Sequence, residues 1–198
     1  MANLEPLIQS IPVAPLKLAS LEGCRTLADQ VNNYLVSFRH ESPTNVGQAD
    51  SLQGYCADSY LLECECPRFG SGEGKGVLKE SVRGCDLFIM VDVTNYSLTY
   101  RVNGYENHMS PDNHYQDLKR IISAADGKAR RINVIMPFLY EGRQHKRSKR
   151  ESLDCALMLQ ELVDMGVSNI LTFDAHDPRV SNSIPLHGFD SFMPTYQF

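Results

Sequence analysis

The chain has 198 residues, a formal net charge of −5, 42% hydrophobic residues and 22% charged residues. This length supports one substantial core, the acidic balance argues against general nucleic-acid affinity, and no apolar run reaches the roughly eighteen residues needed to cross a bilayer. The amino terminus, MANLEPLIQSIPVAPLKLAS, has no basic segment followed by an apolar core, so the expectation is a single cytoplasmic domain over residues 1–198 without a secretory signal.

Pro15 to Ala19 reads as a strand, and Cys24 to Phe38 carries Leu27, Val31, Tyr34, Leu35 and Phe38 at helical spacing. His40 to Gly54 is polar, contains Pro43, Gly47 and Gly54, and reads as a surface excursion. Tyr60 to Cys66 predicts a strand leading into PRFGSGEGKG, whose glycines at 70, 72, 74 and 76 let backbone come close to a ligand. Asp86 to Val93 is almost continuously hydrophobic, which suits a parallel strand covered on both faces. A polar segment, Thr94 to Pro111, follows. Asn113 to Ala125 places Tyr115, Leu118, Ile121, Ile122 and Ala125 on one helical face, with Gly127 as a stop. After a strand from Asn133 to Phe138, Ser152 is placed to cap a helix from Leu153 to Met165 with Cys155, Met158, Leu159 and Leu162 inward, and Gly166 ends it. Asn169 to Asp174 is the last predicted strand. This alternation is that of an α/β fold, a doubly wound, mostly parallel sheet flanked by helices.

The six cysteines follow no disulfide-scaffold pattern, and free thiols packed as small hydrophobes are the better reading. Cys56, Cys64 and Cys66 lack the paired spacing of a zinc site. More informative is the stretch from Asn133 to His176. Arg143, Lys146, Arg147, Lys149 and Arg150 supply five of the nineteen Lys and Arg residues and directly follow a buried strand. The next strand closes on Asp174 and His176, so cations and metal-type ligands meet at the edge of the sheet where open α/β folds bind ligands. Arg143 and Gln144 pair a planar cationic fork with an amide, groups able to hold phosphate oxygens and a purine edge or ribose hydroxyl. Asp174 suits Mg²⁺ directly, with His176 acting through water or on a phosphate, although a capping Asp and a packed His also explain the tripeptide. A nucleic-acid site on HKRSKR lacks interleaved aromatic residues, and neither the phosphate-binding loop nor the dinucleotide turn is matched by the glycine-rich segment.

The order of these pieces resembles one family. RFGSGEGKGVLKESVRGCDLFIM is similar to R-F-S-D-G-E followed by E-S-[IV]-R-G and a strand; PDNHYQDLKRIISAADGKARRINVIMPFLYEGRQHKR is similar to P-x-N-x-x-x-x-E-L, a helix and I-P-Y-x-x-Y-A-R-Q-D-R-K; TFDAH resembles D-L-H at a strand end. These are features of the ribose-phosphate pyrophosphokinases, the phosphoribosyl pyrophosphate synthetases, and the likeness runs from about Leu16 to Phe192. It implies a phosphoribosyltransferase type I-like fold. It also implies a kinase-type transferase that moves pyrophosphate from ATP to ribose 5-phosphate, giving phosphoribosyl pyrophosphate and AMP with Mg²⁺, in a cytoplasmic homo-oligomer with no nucleic-acid or membrane partner. Phe69, Ser71, Gly72 and Glu73 would form the adenine-side loop, supplied across a subunit boundary; Arg143 and Gln144 would hold ATP; His176 and Asp174 would hold the metal.

The resemblance implies that this chain is the first of two similar domains. The catalytic lysine loop and the ribose 5-phosphate cradle would then lie in the other, leaving no catalytic residue here and an inactive fragment. Ser71 and His145 stand where the family has aspartates, and NSIPLHGFD replaces a more acidic segment. Those departures motivate the alternative, a non-catalytic regulatory or binding protein of the same fold.

Overall fold

The computed structural model describes residues 14–41 and 54–195. Its frame is a six-stranded sheet in the order β10-β9-β8-β5-β1-β2, parallel throughout. The strands are β1 (Leu16–Ser20), β2 (Leu61–Leu62), β5 (Asp86–Met90), β8 (Arg131–Ile135), β9 (Val167–Phe173) and β10 (Gly188–Phe192). Two antiparallel ribbons lie outside it: β3 (Cys64–Glu65) with β4 (Val77–Leu78), and β6 (Thr99–Val102) with β7 (Tyr105–His108). The helices are α1 (Arg25–Glu41), α2 (Pro111–Ala125) and α3 (Asp154–Asp164).

Helices cover both faces, as a parallel sheet requires. Alternation along β5 sends Leu87 and Ile89 into the larger core with α2 and α3, and Phe88 and Met90 to the other face, against Ala28 and Val31 of α1. The inward positions predicted for α2 and α3 are all buried. On α1 the prediction missed the rotation: Leu27 and Tyr34 are exposed, whereas Ala28 and Asn32 are buried. Asn32 faces inward because its Oδ1 accepts from the backbone N–H of Tyr60 at 2.8 Å, just before β2. The thiols of Cys24 and Cys66 are pushed up to about 12 by burial, and those of Cys64 and Cys155 to about 11.

Three expectations need correction. The strand from Tyr60 to Cys66 divides between sheets, β2 joining β1 and β3 joining β4. The polar segment from Thr94 contains the β6–β7 hairpin, turned at Asn103 (φ 50°) and Gly104 (φ 86°), a pair suited to the left-handed conformations of a two-residue hairpin turn. Ser152 does not cap α3; its hydroxyl donates to the Asp154 carboxylate at 2.5 Å, and the helix starts without a side-chain cap. By contrast, α2 is capped by Ser110, whose side chain accepts from the Asn113 backbone N–H, with Pro111 in the first turn. The predicted excursion from His40 to Gly54 lies mostly at 42–53, outside the described residues.

A line of polar side chains crosses the sheet. Asp86 on β5 is buried and accepts two bonds from Arg131 and one from Asn133 Nδ2 at 2.7 Å, both on β8. Asn169 on β9 donates to Asn133 Oδ1 at 2.6 Å. Removing the carboxylate leaves Arg131 without its partner and Asn133 Nδ2 with only the Leu87 carbonyl at 3.2 Å, although Arg131 retains some access to water. Asp86→Ala should therefore lose about 2–3 kcal/mol of stability, read in urea unfolding as a lower midpoint at unchanged slope.

Candidate functional site

Beyond β8 and β9 the two chains stay laced together. Met136 N–H donates to Leu171 O at 2.9 Å and Phe173 N–H to Pro137 O at 3.2 Å, so the two carboxyl ends emerge side by side. After β8 the backbone turns tightly: Gly142 N–H donates to Leu139 O at 3.0 Å, Gln144 N–H to Glu141 O at 2.8 Å, and Glu141 adopts a φ of 54°. After β9, Asp174 also takes a left-handed conformation, φ 45°, held by its N–H donating to Phe192 O on β10 at 2.9 Å. These turns bring Arg143, Asp174 and His176 onto one cavity of about 370 Å³, walled by the aromatic rings of Phe138 and Phe173.

Chemically, this cavity offers a fixed cation, a carboxylate and an imidazole at a strand-end crevice. The Arg143 guanidinium lies 6.0 Å from the centre of the Phe138 ring, at the outer reach of a cation–π contact. Gln144 is not among the lining residues. Its main chain braces the loop instead, its carbonyl accepting from the Cys155 N–H at 3.3 Å. Among the described residues no group of three or more His, Cys, Asp and Glu side chains gathers to hold a metal. Asp174 and His176 could together offer a metal ion an oxygen and a nitrogen, and Mg²⁺ ordinarily takes its other positions from ligand oxygens and water.

Next to His176 lies a cluster that the sequence reading did not assemble. His145 Nε2 is 3.4 Å from Asp177 Oδ2, and its ring centre is 5.2 Å from that of His176. Its Nδ1 is the one buried side-chain nitrogen or oxygen among the described residues that lacks a hydrogen-bond partner. Asp177 also accepts from the Arg179 guanidinium and from the Arg179 N–H at 2.9 Å, capping the short 3-10 turn Pro178–Ser183. The Arg179 guanidinium, donating to this carboxylate, holds Asp177 well below the usual carboxylate range. The Asp-Pro pair after the strand was the available signal, since Asp favours a cap and Pro the first turn.

The glycine-rich loop stands elsewhere. None of Phe69, Ser71, Gly72 and Glu73 lines the Arg143 cavity. The loop closes on itself through Phe69 N–H to Glu73 O at 2.7 Å and Gly72 N–H to Phe69 O at 2.9 Å. The Ser71 hydroxyl donates to Glu73 Oε2 at 2.8 Å. At its base Arg68 makes two bonds to the buried Asp117 of α2, at 2.6 and 2.8 Å, and Arg120 adds a third at 2.6 Å. Its top meets the β6–β7 hairpin, where Asn103 N–H donates to Gly70 O at 3.3 Å.

Residues 16–166 match the family model described as the N-terminal domain of ribose phosphate pyrophosphokinase. A ribose-phosphate pyrophosphokinase of Corynebacterium ammoniagenes is 29% identical over 167 residues, covering 83% of this chain and 41% of that protein. One of Bacillus caldolyticus is 30% identical over 122 residues, covering 61% of this chain and 34% of its own length. The crystal structure of phosphoribosylpyrophosphate synthetase from Mycobacterium smegmatis superimposes with a TM-score of 0.66 at 21% identity, covering 92% of this chain and 49% of that one. The fold is thus of phosphoribosyltransferase type I-like form. The chain spans less than half the length of these relatives.

A carboxylate whose native pKa is depressed stabilises the fold while ionised. The contribution of Asp177 is complete above its unfolded value of about 3.9 and is lost as pH falls below that value towards the depressed native one. Asp177→Asn should therefore be less stable than the wild-type chain at pH 7. The gap should close below about pH 4, as read by urea unfolding across the range.

Proposed function

The chain belongs to the family of N-terminal domains of ribose phosphate pyrophosphokinase, and from that premise we propose that the protein is a ribose-phosphate diphosphokinase, a transferase of nucleotide biosynthesis acting on ATP and ribose 5-phosphate. The observation that carries the reading is the cavity that gathers Arg143, Asp174 and His176 at the ends of β8 and β9. The 1-hydroxyl oxygen of ribose 5-phosphate attacks the β-phosphorus of ATP, and the bond from that phosphorus to the α,β-bridging oxygen breaks. The hydroxyl proton is released, AMP leaves, and the pyrophosphoryl group stays on the sugar.

Catalysis of this step is positioning together with stabilisation of charge on the phosphate oxygens. Arg143 holds the phosphates through the guanidinium fork, and Gln144 contributes to the nucleotide from the same loop. Asp174 and His176 would hold Mg²⁺, which when bound neutralises phosphate charge. Phe69, Ser71, Gly72 and Glu73 take the adenine side. Their absence from the Arg143 cavity supports a site completed by a neighbouring subunit, hence a homo-oligomer. The ribose 5-phosphate cradle is assigned to a second domain outside these 198 residues, in keeping with the greater length of the relatives. A cytoplasmic enzyme fits this substrate pair, and among the described residues no helix is long and apolar enough to cross a membrane. The regulatory alternative, motivated by Ser71 and His145, is disfavoured by relatives named as the enzyme.

In the full-length protein, Arg143→Ala should weaken ATP binding by roughly 1.5–3 kcal/mol, whereas Lys149→Ala, mid-loop and solvated, should cost at most about 1. Equal losses in titration calorimetry would remove Arg143 from the phosphate site.

The 198-residue chain alone should release AMP from ATP and ribose 5-phosphate no faster than buffer, because without a held acceptor the positioning contribution of about 7–11 kcal/mol is mostly absent. Turnover above about 1 s⁻¹ would show that the acceptor site lies within this chain.

A further inference from the structure

We infer that Tyr105, at the tip of the β6–β7 hairpin, is a base-binding residue of the nucleotide site, supplying an aromatic surface for the base in addition to Phe69. The inference rests on the assignment of the glycine-rich loop to the base side of ATP. It adds a residue from a separate element that no motif of that loop contains.

The hairpin is built against the loop. In β6, Tyr100 lies under the Arg68 guanidinium, 5.2 Å from ring centre to carbon, and Val102 fills the space left by Gly72, where a Cβ would sit 2.9 Å from Val102 Cγ2. Gly72 has a φ of 93°, so both its backbone and its bareness suit this contact. Tyr100 and Val102 alternate with Arg101, so one hairpin face, and not the other, meets the loop. Tyr105 pairs directly with Val102 across the ribbon, and residues opposite each other in an antiparallel pair share a face. Tyr105 therefore belongs to the face that carries the loop. The neighbours on that face are half-buried, yet Tyr105 is 78% exposed and Phe69 is 53% exposed.

Two solvent-facing aromatic side chains thus flank a loop whose polar groups are largely committed internally: Ser71 to Glu73, and Arg68 to Asp117. The Asn103-Gly104 turn fixes the tip, and its N–H on Gly70 ties hairpin and loop into one unit. Burying an exposed ring against a flat aromatic partner is favourable, and stacking accepts any base face. A nucleobase is a ligand of that kind. In the absence of a committed carboxylate at Ser71, this surface grips the base by area more than by hydrogen bonds, so its discrimination between purines is modest.

The test is titration calorimetry of the full-length protein with MgATP and with magnesium tripolyphosphate, which has phosphates but no base. Tyr105→Ala should weaken MgATP about tenfold while the tripolyphosphate affinity moves less than about twofold, and Tyr105→Phe should recover most of the lost MgATP affinity. If Tyr105→Ala lowers both affinities together, the residue merely supports the hairpin and the inference is overturned; unchanged MgATP affinity overturns it too. The underlying assignment is probed separately. Should Phe69→Ala and Arg143→Ala leave both ligands bound as in wild type, the nucleotide reading itself falls and takes this inference with it. A loss in Phe69→Ala without one in Tyr105→Ala leaves that reading intact and removes Tyr105 alone.

Discussion

The register of the sheet hangs on the buried carboxylate of Asp86. Both faces of this parallel sheet are apolar, so hydrophobic alternation alone resists a one-residue slip less than it would in a sheet with one wet face. Directional bonds supply what burial cannot. Asp86 fixes β5 against Arg131 and Asn133 of β8, and Asn133 fixes β9 through Asn169. The pairing of β8 with β9 shifts between Ile132 and Asn133, so the Asn133–Asn169 bond sits where the register is set for everything downstream. Met136 then meets Leu171, Pro137 meets Phe173, and Arg143 and Asp174 emerge onto the same cavity. A charge desolvated at one end of the strands thereby positions the residues at the other.

A second buried carboxylate, Asp117, performs the same service for the glycine-rich loop. A carboxylate this buried is costly unless it is paired and hydrogen-bonded, and two guanidinium groups meet that need. Arg68 is thus ordered before any ligand arrives, and the loop leaves its base in one direction. Pre-ordering of this kind lowers the entropic cost of binding, which for a glycine-rich segment is otherwise large. The glycine-rich loop thus has a fixed base, apart from the cavity that Arg143 lines.

Much of this was legible in the amino-acid sequence, for identifiable reasons. The faces of α2 and α3 followed from spacing because most of their inward residues are apolar. On α1 the same reasoning held for Val31 but erred for Leu27 and Tyr34, since the buried residues are Ala28 and the polar Asn32, while the exposed Tyr34 stacks on the partly buried Phe38. The β6–β7 hairpin carried an Asn-Gly signal, but its exposed strands alternate weakly and read as a polar segment. The placement of Arg143 with Asp174 and His176 was readable, because consecutive parallel strands end on one edge. The links from Asn133 to Asn169 and from His145 to Asp177 were not, since they join residues whose proximity only the register decides.

The backbone of Asp174 is secured from an unusual direction. Its N–H binds Phe192 and the following N–H binds the Ser191 hydroxyl at 3.0 Å, both on β10, the outermost strand of the sheet. Strands at a sheet edge open more readily than those at its centre, and groups bonded to them share that opening. The left-handed turn that presents the carboxylate is therefore tied to the rim of the sheet, whereas the Arg143 loop follows β8, an interior strand. A displacement of β10 would reach the carboxylate wall of the cavity before the Arg143 wall.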